Sequence, residues 1–164
     1  MSESFTTRQW LLHDAAHTRL AGGVLARELS TVSKDKPLLI TLQGELGAGK
    51  TTLVSGLLQG LGHVGRVPSP TYTLIESYEL SDRAVAHLDL YRLTDAQQLE
   101  DLGWRDLLQP GAIVLVEWPE RAGVLLSAPD LSIRLSYGPD GVGRQLELAS
   151  DSETFRRLID RTNF

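Results

Sequence analysis

Leu38-Leu39-Ile40-Thr41-Leu42, then Gly44-Glu45-Leu46-Gly47-Ala48-Gly49-Lys50-Thr51, then Thr52-Leu53-Val54-Ser55-Gly56-Leu57-Leu58 is the stretch whose reading decides the fold. The first segment is short, apolar and partly β-branched, and reads as a buried strand. The last reads as a helix. Between them lies a complete phosphate-binding loop, and the order strand, glycine loop, helix is the setting in which that pattern makes a phosphate cradle. Its glycines let successive backbone N–H groups converge on anionic oxygens, and the helix N-terminus adds partial positive charge. Lys50 is expected to reach the β- and γ-phosphates, and the Thr51 hydroxyl to complete a magnesium shell. The segment predicts a nucleoside triphosphate site.

The bulk of the sequence frames that site. The chain has 164 residues, 41% of them hydrophobic, which fits one P-loop ATPase domain over residues 1–164 with a real core. No segment approaches the ~20 continuous apolar residues of a membrane span. Met1-Ser2-Glu3-Ser4-Phe5-Thr6 has neither a basic region nor an apolar core, so no secretion signal is expected there. Cysteine is absent, which excludes disulfides and thiolate metal sites. These features together point to the cytoplasm. The net charge is −5, with arginines scattered among acids and no Lys/Arg block. A chain that held nucleic acid through many phosphate contacts would carry a basic face. Any link to RNA should run through a partner protein.

Outward from the loop, Asp14 reads as the N-cap of a helix running to about Leu29, with Leu20, Val24 and Leu29 on one face and Gly22-Gly23 as a weak point. The helix from Lys50 should stop near Gly60-Leu61-Gly62. Two strands, Thr71–Leu80 and Ala84–Tyr91, are joined by a turn too short for a crossover and must pair as a hairpin. Thr94-Asp95-Ala96-Gln97 reads as a capping box opening a helix that Gly103 closes. Ala112–Glu117 is an apolar strand ending in an acid. Leu131–Tyr137 and Arg144–Leu148 form a late hairpin, and Ser150 or Asp151 caps a final helix carrying Phe155, Leu158 and Ile159 inward. The expected fold is α/β, a P-loop NTPase-like domain with a mixed parallel and antiparallel sheet flanked by helices.

Phosphoryl transfer asks the protein for placement and charge neutralisation more than for covalent chemistry. Acids are therefore expected at the ends of strands beside the loop. Glu117 follows an apolar strand in Walker B style, and Asp89 sits in His87-Leu88-Asp89-Leu90-Tyr91. Strand alternation puts His87, Asp89 and Tyr91 on one face, which reads as the lip of a site. In Val67-Pro68-Ser69-Pro70-Thr71-Tyr72-Thr73 the prolines stiffen an extended loop able to hold Ser69 or Thr71 at a γ-phosphate.

The phosphate loop, Ser69-Pro70-Thr71-Tyr72-Thr73-Leu74, His87-Leu88-Asp89-Leu90-Tyr91-Arg92-Leu93 and Val116-Glu117-Trp118-Pro119-Glu120 together resemble the TsaE family, from about Asp14 to Leu148. The resemblance implies a P-loop ATPase of bacterial tRNA threonylcarbamoyladenosine synthesis, using ATP and Mg²⁺. Its hydrolysis would sustain turnover of a complex with the TsaB and TsaD proteins, which modifies the adenosine beside the tRNA anticodon. It implies metal ligation by Thr51 and Glu117, with Asp89 beside the metal or its water, and nucleotide contacts from Leu11, His13 and Arg144. Where many members carry a basic residue before Ser-Pro-Thr, this chain has Pro68; Trp104 replaces a smaller residue and is expected in the core.

The catalytic set expected is Lys50, Asp89 and Glu117. No arginine stands out as a finger in cis; Arg92 and Arg121 are nearest by motif position. Slow hydrolysis by the isolated chain is the consequence. A small P-loop nucleoside or metabolite kinase is the main alternative, but the stretch between Leu93 and Gly111 holds only Arg105 where an Arg-rich lid would be needed. A nucleotide-dependent interaction module is the other. GTP is disfavoured because no Asn-Lys-x-Asp motif occurs.

Overall fold

The computed structural model describes residues 5–164, so the reading of the N-terminus falls partly outside the described residues. Seven strands form one sheet in the order β1-β7-β6-β2-β5-β4-β3. They are β1 (Thr6–Leu12), β2 (Leu38–Gln43), β3 (Ile75–Glu79), β4 (Ala84–Asp89), β5 (Ile113–Glu117), β6 (Leu131–Tyr137) and β7 (Arg144–Ser150). The helices are α1 (Ala15–Leu29), α2 (Lys50–Gly60), α3 (Gln97–Asp101) and α4 (Glu153–Arg161). β6, β2, β5 and β4 run parallel, while β1, β7 and β3 pair antiparallel at the flanks. The expected mixed sheet is present.

The sheet has a core on each face, which is why β2 and β5 are mostly apolar. Leu38, Ile40, Leu42, Ile113 and Leu115 join α1, α2 and α4 on one side, with Phe155, Leu158 and Ile159 inward. Leu39, Val114 and Val116 meet Leu88, Leu90, Leu99 and Trp104 on the other. Trp104 is in the core, as expected. Among the described residues no helix is long and apolar enough to cross a membrane.

Helices α1 and α2 pack backbone to backbone. A Cβ on Gly56 would lie 1.9 Å from the Arg19 carbonyl oxygen, and one on Gly22 would lie 2.2 Å from that of Leu53. This corrects the expected face of α1. Asp14 caps it, accepting from the His17 N–H at 2.7 Å. The residues that turn inward, however, are Thr18, Ala21, Gly22, Leu25, Ala26 and Leu29. Leu20 is 69% exposed, because the close approach selects the glycine face rather than the largest side chains.

Other boundaries shift for local reasons. Thr71–Leu74 is a turn, closed by the Leu74 N–H donating to the Pro70 carbonyl at 2.8 Å, so β3 starts at Ile75. β4 ends at Asp89, where the Leu90 N–H turns to the Glu117 carbonyl. The expected capping box is displaced: α3 starts at Gln97, and the Asp95 carboxylate accepts from the Gln97 N–H at 2.9 Å. Gly103 follows in the left-handed region, as a helix stop requires. Ser152, not Ser150 or Asp151, is the N-cap of α4. Strand β1 has no counterpart in the sequence reading. Trp10 packs edge-on against Phe164 at 4.8 Å, and Arg8 donates to the carbonyls of Ile159 and Asp160 at the end of α4.

Candidate active site

The carboxyl ends of β2, β4 and β5 lie side by side, and each delivers one part of the site. β2 runs into the glycine loop, whose Gly49 takes φ 102° as the N-cap of α2, a value that suits glycine. No side chain caps that helix, so its first N–H groups stay open toward the loop. In the parallel register Asp89 of β4 stands beside Glu117 of β5, and Glu117 beside Leu42 of β2. Two carboxylates therefore flank the loop, as the strand-end argument predicted.

The side chains form one connected network. The Thr51 hydroxyl donates to Glu117 Oε1 at 3.0 Å. His87 Nε2 lies 2.8 Å from that same oxygen. Ser69 Oγ donates to Asp89 Oδ2 at 2.8 Å, Thr71 reaches it at 3.3 Å, and the two hydroxyls are 2.9 Å apart. The Tyr91 N–H donates to Asp89 Oδ1 at 3.0 Å. Lys50 Nζ donates to the carbonyls of Gly44 and Glu45 at 2.6 and 2.9 Å and sits 4.3 Å from the Trp118 ring centre. Trp118 turns its ring there from a left-handed backbone, φ 57°, rare for a bulky residue. Burial holds the Lys50 ammonium below the ordinary lysine range, against the opposing pull of Glu117, Asp89 and Glu120.

Apart from His87 and Glu120, these side chains line a cavity of about 420 Å³, together with Leu46, Gly49, Thr52 and Arg92. Lys50, Asp89 and Glu117 are each at least 95% buried. The expected lip residue His87 is not at a lip. It is fully buried two residues before Asp89, with Nε2 against Glu117, because β4 lies inside the sheet between β3 and β5 and is buried from Val85 to Asp89. Its place under an acid of the neighbouring strand was not legible from the sequence; its spacing two residues before Asp89 was the only trace.

The more distant residues divide. Arg144 grips the loop from outside, donating to the carbonyls of Ala48 and Gly47 at 3.0 Å each and stacking on Tyr137 at 4.4 Å. With Asp14, Thr18 and Gly143 it lines a smaller recess of about 140 Å³ on the far side of Gly47 and Gly49. His13 stacks on His17 at 5.4 Å close by, and Leu11 lies exposed on β1. Arg92 is not distant: it lines the main cavity, with its guanidinium over the Tyr72 ring at 4.3 Å, while Arg121 is 6.0 Å from the Tyr91 ring.

Among the described residues no three His, Cys, Asp or Glu side chains converge as a metal cage. The donor set instead fits a magnesium ion, which keeps waters and combines one or two protein oxygens with substrate phosphates. Thr51 and Glu117 offer such oxygens, and Glu117 has Oε2 free of the Thr51 and His87 contacts.

A glycine loop after a central parallel strand, with acids at the ends of its neighbours, defines a P-loop-like α/β protein. The sequence model of the family described as threonylcarbamoyl adenosine biosynthesis protein TsaE matches residues 12–146. The tRNA threonylcarbamoyladenosine biosynthesis protein TsaE of Haemophilus influenzae is 40% identical over 138 residues, covering 84% of this chain and 86% of its own. Its namesake from Nostoc sp. is 38% identical over 140 residues, covering 84% and 83%. The crystal structure of Bacillus subtilis YdiB matches 96% of this chain and 94% of its own with a TM-score of 0.76; at 23% identity it speaks for the fold. The chain belongs to the TsaE family.

Proposed function

We propose that this chain is the ATP-binding and hydrolysing component of tRNA N6-threonylcarbamoyladenosine synthesis. It acts in the cytoplasm as one ATPase domain over residues 1–164, and its hydrolysis sustains turnover of the TsaB–TsaD transferase. The observation that carries the ATPase reading is the 3.0 Å bond from Thr51 to Glu117, which joins the phosphate loop to the neighbouring strand's acid.

In this reading the amides of Glu45 to Thr52 cradle the triphosphate, and Lys50 leaves its two carbonyl partners for the β- and γ-phosphates. Thr51 and Glu117 would hold the magnesium ion, which neutralises phosphate charge when bound. His87 fixes Glu117 from below, so that carboxylate is oriented before substrate arrives. Asp89 orders the attacking water, and the Ser69 and Thr71 hydroxyls, now resting on Asp89, turn to the γ-phosphate. Loss of that phosphate frees the Ser69–Thr71 loop, which couples hydrolysis to partner contacts. Leu11, His13 and Arg144 border the nucleotide on the outer side of the loop. Tight nucleic-acid binding by this acidic chain alone is not expected, and tRNA is met through the complex.

Hydrolysis measured with and without TsaB and TsaD tests the coupling. Slow turnover alone and faster turnover in the assembly are expected; tens of turnovers per second from the isolated chain would overturn it. Lys50→Ala should remove about 3–4 kcal/mol of transition-state stabilisation. Glu117→Ala should flatten the magnesium dependence of the rate, and an unchanged magnesium titration would remove Glu117 from the metal site.

A further inference from the structure

We propose, resting on the hydrolytic reading above, that Arg66 is a catalytic residue: an arginine finger supplied in cis, whose guanidinium meets the β–γ bridge of the bound triphosphate.

The first observation is its place. Arg66 stands three residues before Ser69, on the segment whose hydroxyls hold Asp89. Arg66 lines a cleft of about 240 Å³ with Arg19, Thr51, Thr52 and Ser55. Thr51 and Thr52 also line the main cavity, so the cleft opens beside the phosphate cradle. Arg66 thus lies beside the N-terminal half of α2, in a cleft that shares Thr51 and Thr52 with the phosphate cradle.

The second observation is that its charge is uncommitted. Among the described residues no hydrogen bond or ion pair engages the Arg66 guanidinium, and it is exposed. The other arginines of the neighbourhood are engaged. Arg19 donates to Ser55 at 3.0 Å, Arg144 holds the carbonyls of Gly47 and Ala48, and Arg92, which lines the main cavity, is stacked on Tyr72. Arg121 faces Tyr91, on the far side of Trp118 in sequence. An unpaired guanidinium beside an anion cradle is spare positive charge where the reaction needs it.

The third is the backbone. His63 is pinned by its N–H donating to the Leu58 carbonyl at 2.9 Å and by its ring meeting Tyr78 edge-on at 4.8 Å. Val67 is buried on the other side. Val64, Gly65 and Arg66 form the exposed span between these anchors, with Gly65 at φ 118°. The Arg66 backbone is therefore fixed by its neighbour while its side chain is free to swing.

The chemistry needs such a cation. The water oxygen bonds to the γ-phosphorus as the bond from that phosphorus to the bridging oxygen breaks. The bridging oxygen keeps the electron pair and becomes a β-phosphate oxygen of ADP. One proton of the water stays on inorganic phosphate and the other goes to solvent. Negative charge grows on the bridge as this happens, and a planar guanidinium can meet the bridging and γ-phosphate oxygens together.

The test uses the full chain with magnesium and compares wild type, Arg66→Ala, Arg66→Lys and Arg92→Ala. Single-turnover hydrolysis is measured beside calorimetric affinities for Mg-ADP with and without aluminium fluoride, which mimics the transferring phosphoryl group. A site with its arginine in cis turns over at about 10⁻² s⁻¹ unaided, and one without it roughly 20-fold more slowly. Arg66→Ala should show a fall of about that size and lose the fluoride-dependent tightening, with Mg-ADP affinity within about threefold of wild type. Arg66→Lys, which keeps the charge but not the fork, should recover only part of the rate. The proposal is overturned if Arg66→Ala hydrolyses like wild type, or if its Mg-ADP affinity falls in step with the rate. Loss of the tightening in Arg92→Ala but not in Arg66→Ala would also overturn it. Failure of the hydrolytic reading looks different: the wild-type chain itself would then neither bind nor cleave Mg-ATP.

Discussion

Lys50 shows how this site stores its readiness. Its ammonium is nearly buried, held by two carbonyls and the face of Trp118, and burial lowers its proton affinity in the folded chain. Burial makes the charged form costlier in the folded chain than in the unfolded one. As pH rises toward the ordinary lysine value of 10.5, the folded chain releases that proton first. The unfolded chain then binds more protons, and stability gains an increment with pH. Thermal melts of the nucleotide-free protein between pH 7 and pH 10 should show this increment in wild type and lack it in Lys50→Met. Parallel pH profiles in the two proteins would mean Lys50 is not under that strain. A sequence motif placed Lys50 correctly, but its resting partners belong to the folded loop.

At the scale of elements, the contact between α1 and α2 carries the clearest prediction. Gly56 and Gly23 are both helical glycines, but only Gly56 is pressed against backbone. A Cβ there meets the Arg19 carbonyl at 1.9 Å, whereas one on Gly23 has its nearest neighbour at 4.0 Å. Gly56→Ala must push two helices apart and should cost roughly 1–3 kcal/mol or more in urea denaturation. Gly23→Ala should instead stabilise by about 0.4–1 kcal/mol, since it only stiffens the unfolded chain. Equal effects from the two would refute the packing described here. The same contact explains what the sequence hid. Gly22-Gly23 reads as a weakness of α1, yet Gly22 is the point of closest approach, and Leu20 loses its inward place to it. β1 escaped because its alternation is mild and its partners, β7 and α4, lie more than a hundred residues away. The strand ending at Glu117 was legible, because a strand covered on both faces must be apolar until it reaches its functional end, whereas β4 was found but read two residues too long, to Tyr91.

For the whole molecule, the site draws on residues from 44 to 118, so ligand binding should tie the fold together. Mg-ATP at a hundred times its dissociation constant would add about 2.7 kcal/mol to stability. For a chain of this size that is a rise of roughly 5–10 °C in Tm. Lys50→Ala should lose most of the shift, and a wild-type Tm indifferent to saturating Mg-ATP would contradict the site. What the sequence determined by itself was local or periodic: the phosphate loop between strand and helix, the apolar strands, the helix cap at Asp14 and the acids at strand ends. Loop geometry and hydrophobic period are written into neighbouring residues, so a linear reading can find them. Only the tertiary structure decided that His87 sits beneath Glu117, that Ser69 and Thr71 rest on Asp89, and that Arg66 shares a cleft with Thr51. Those neighbours are joined by strand register and helix packing, and their separations along the chain carry no local signal.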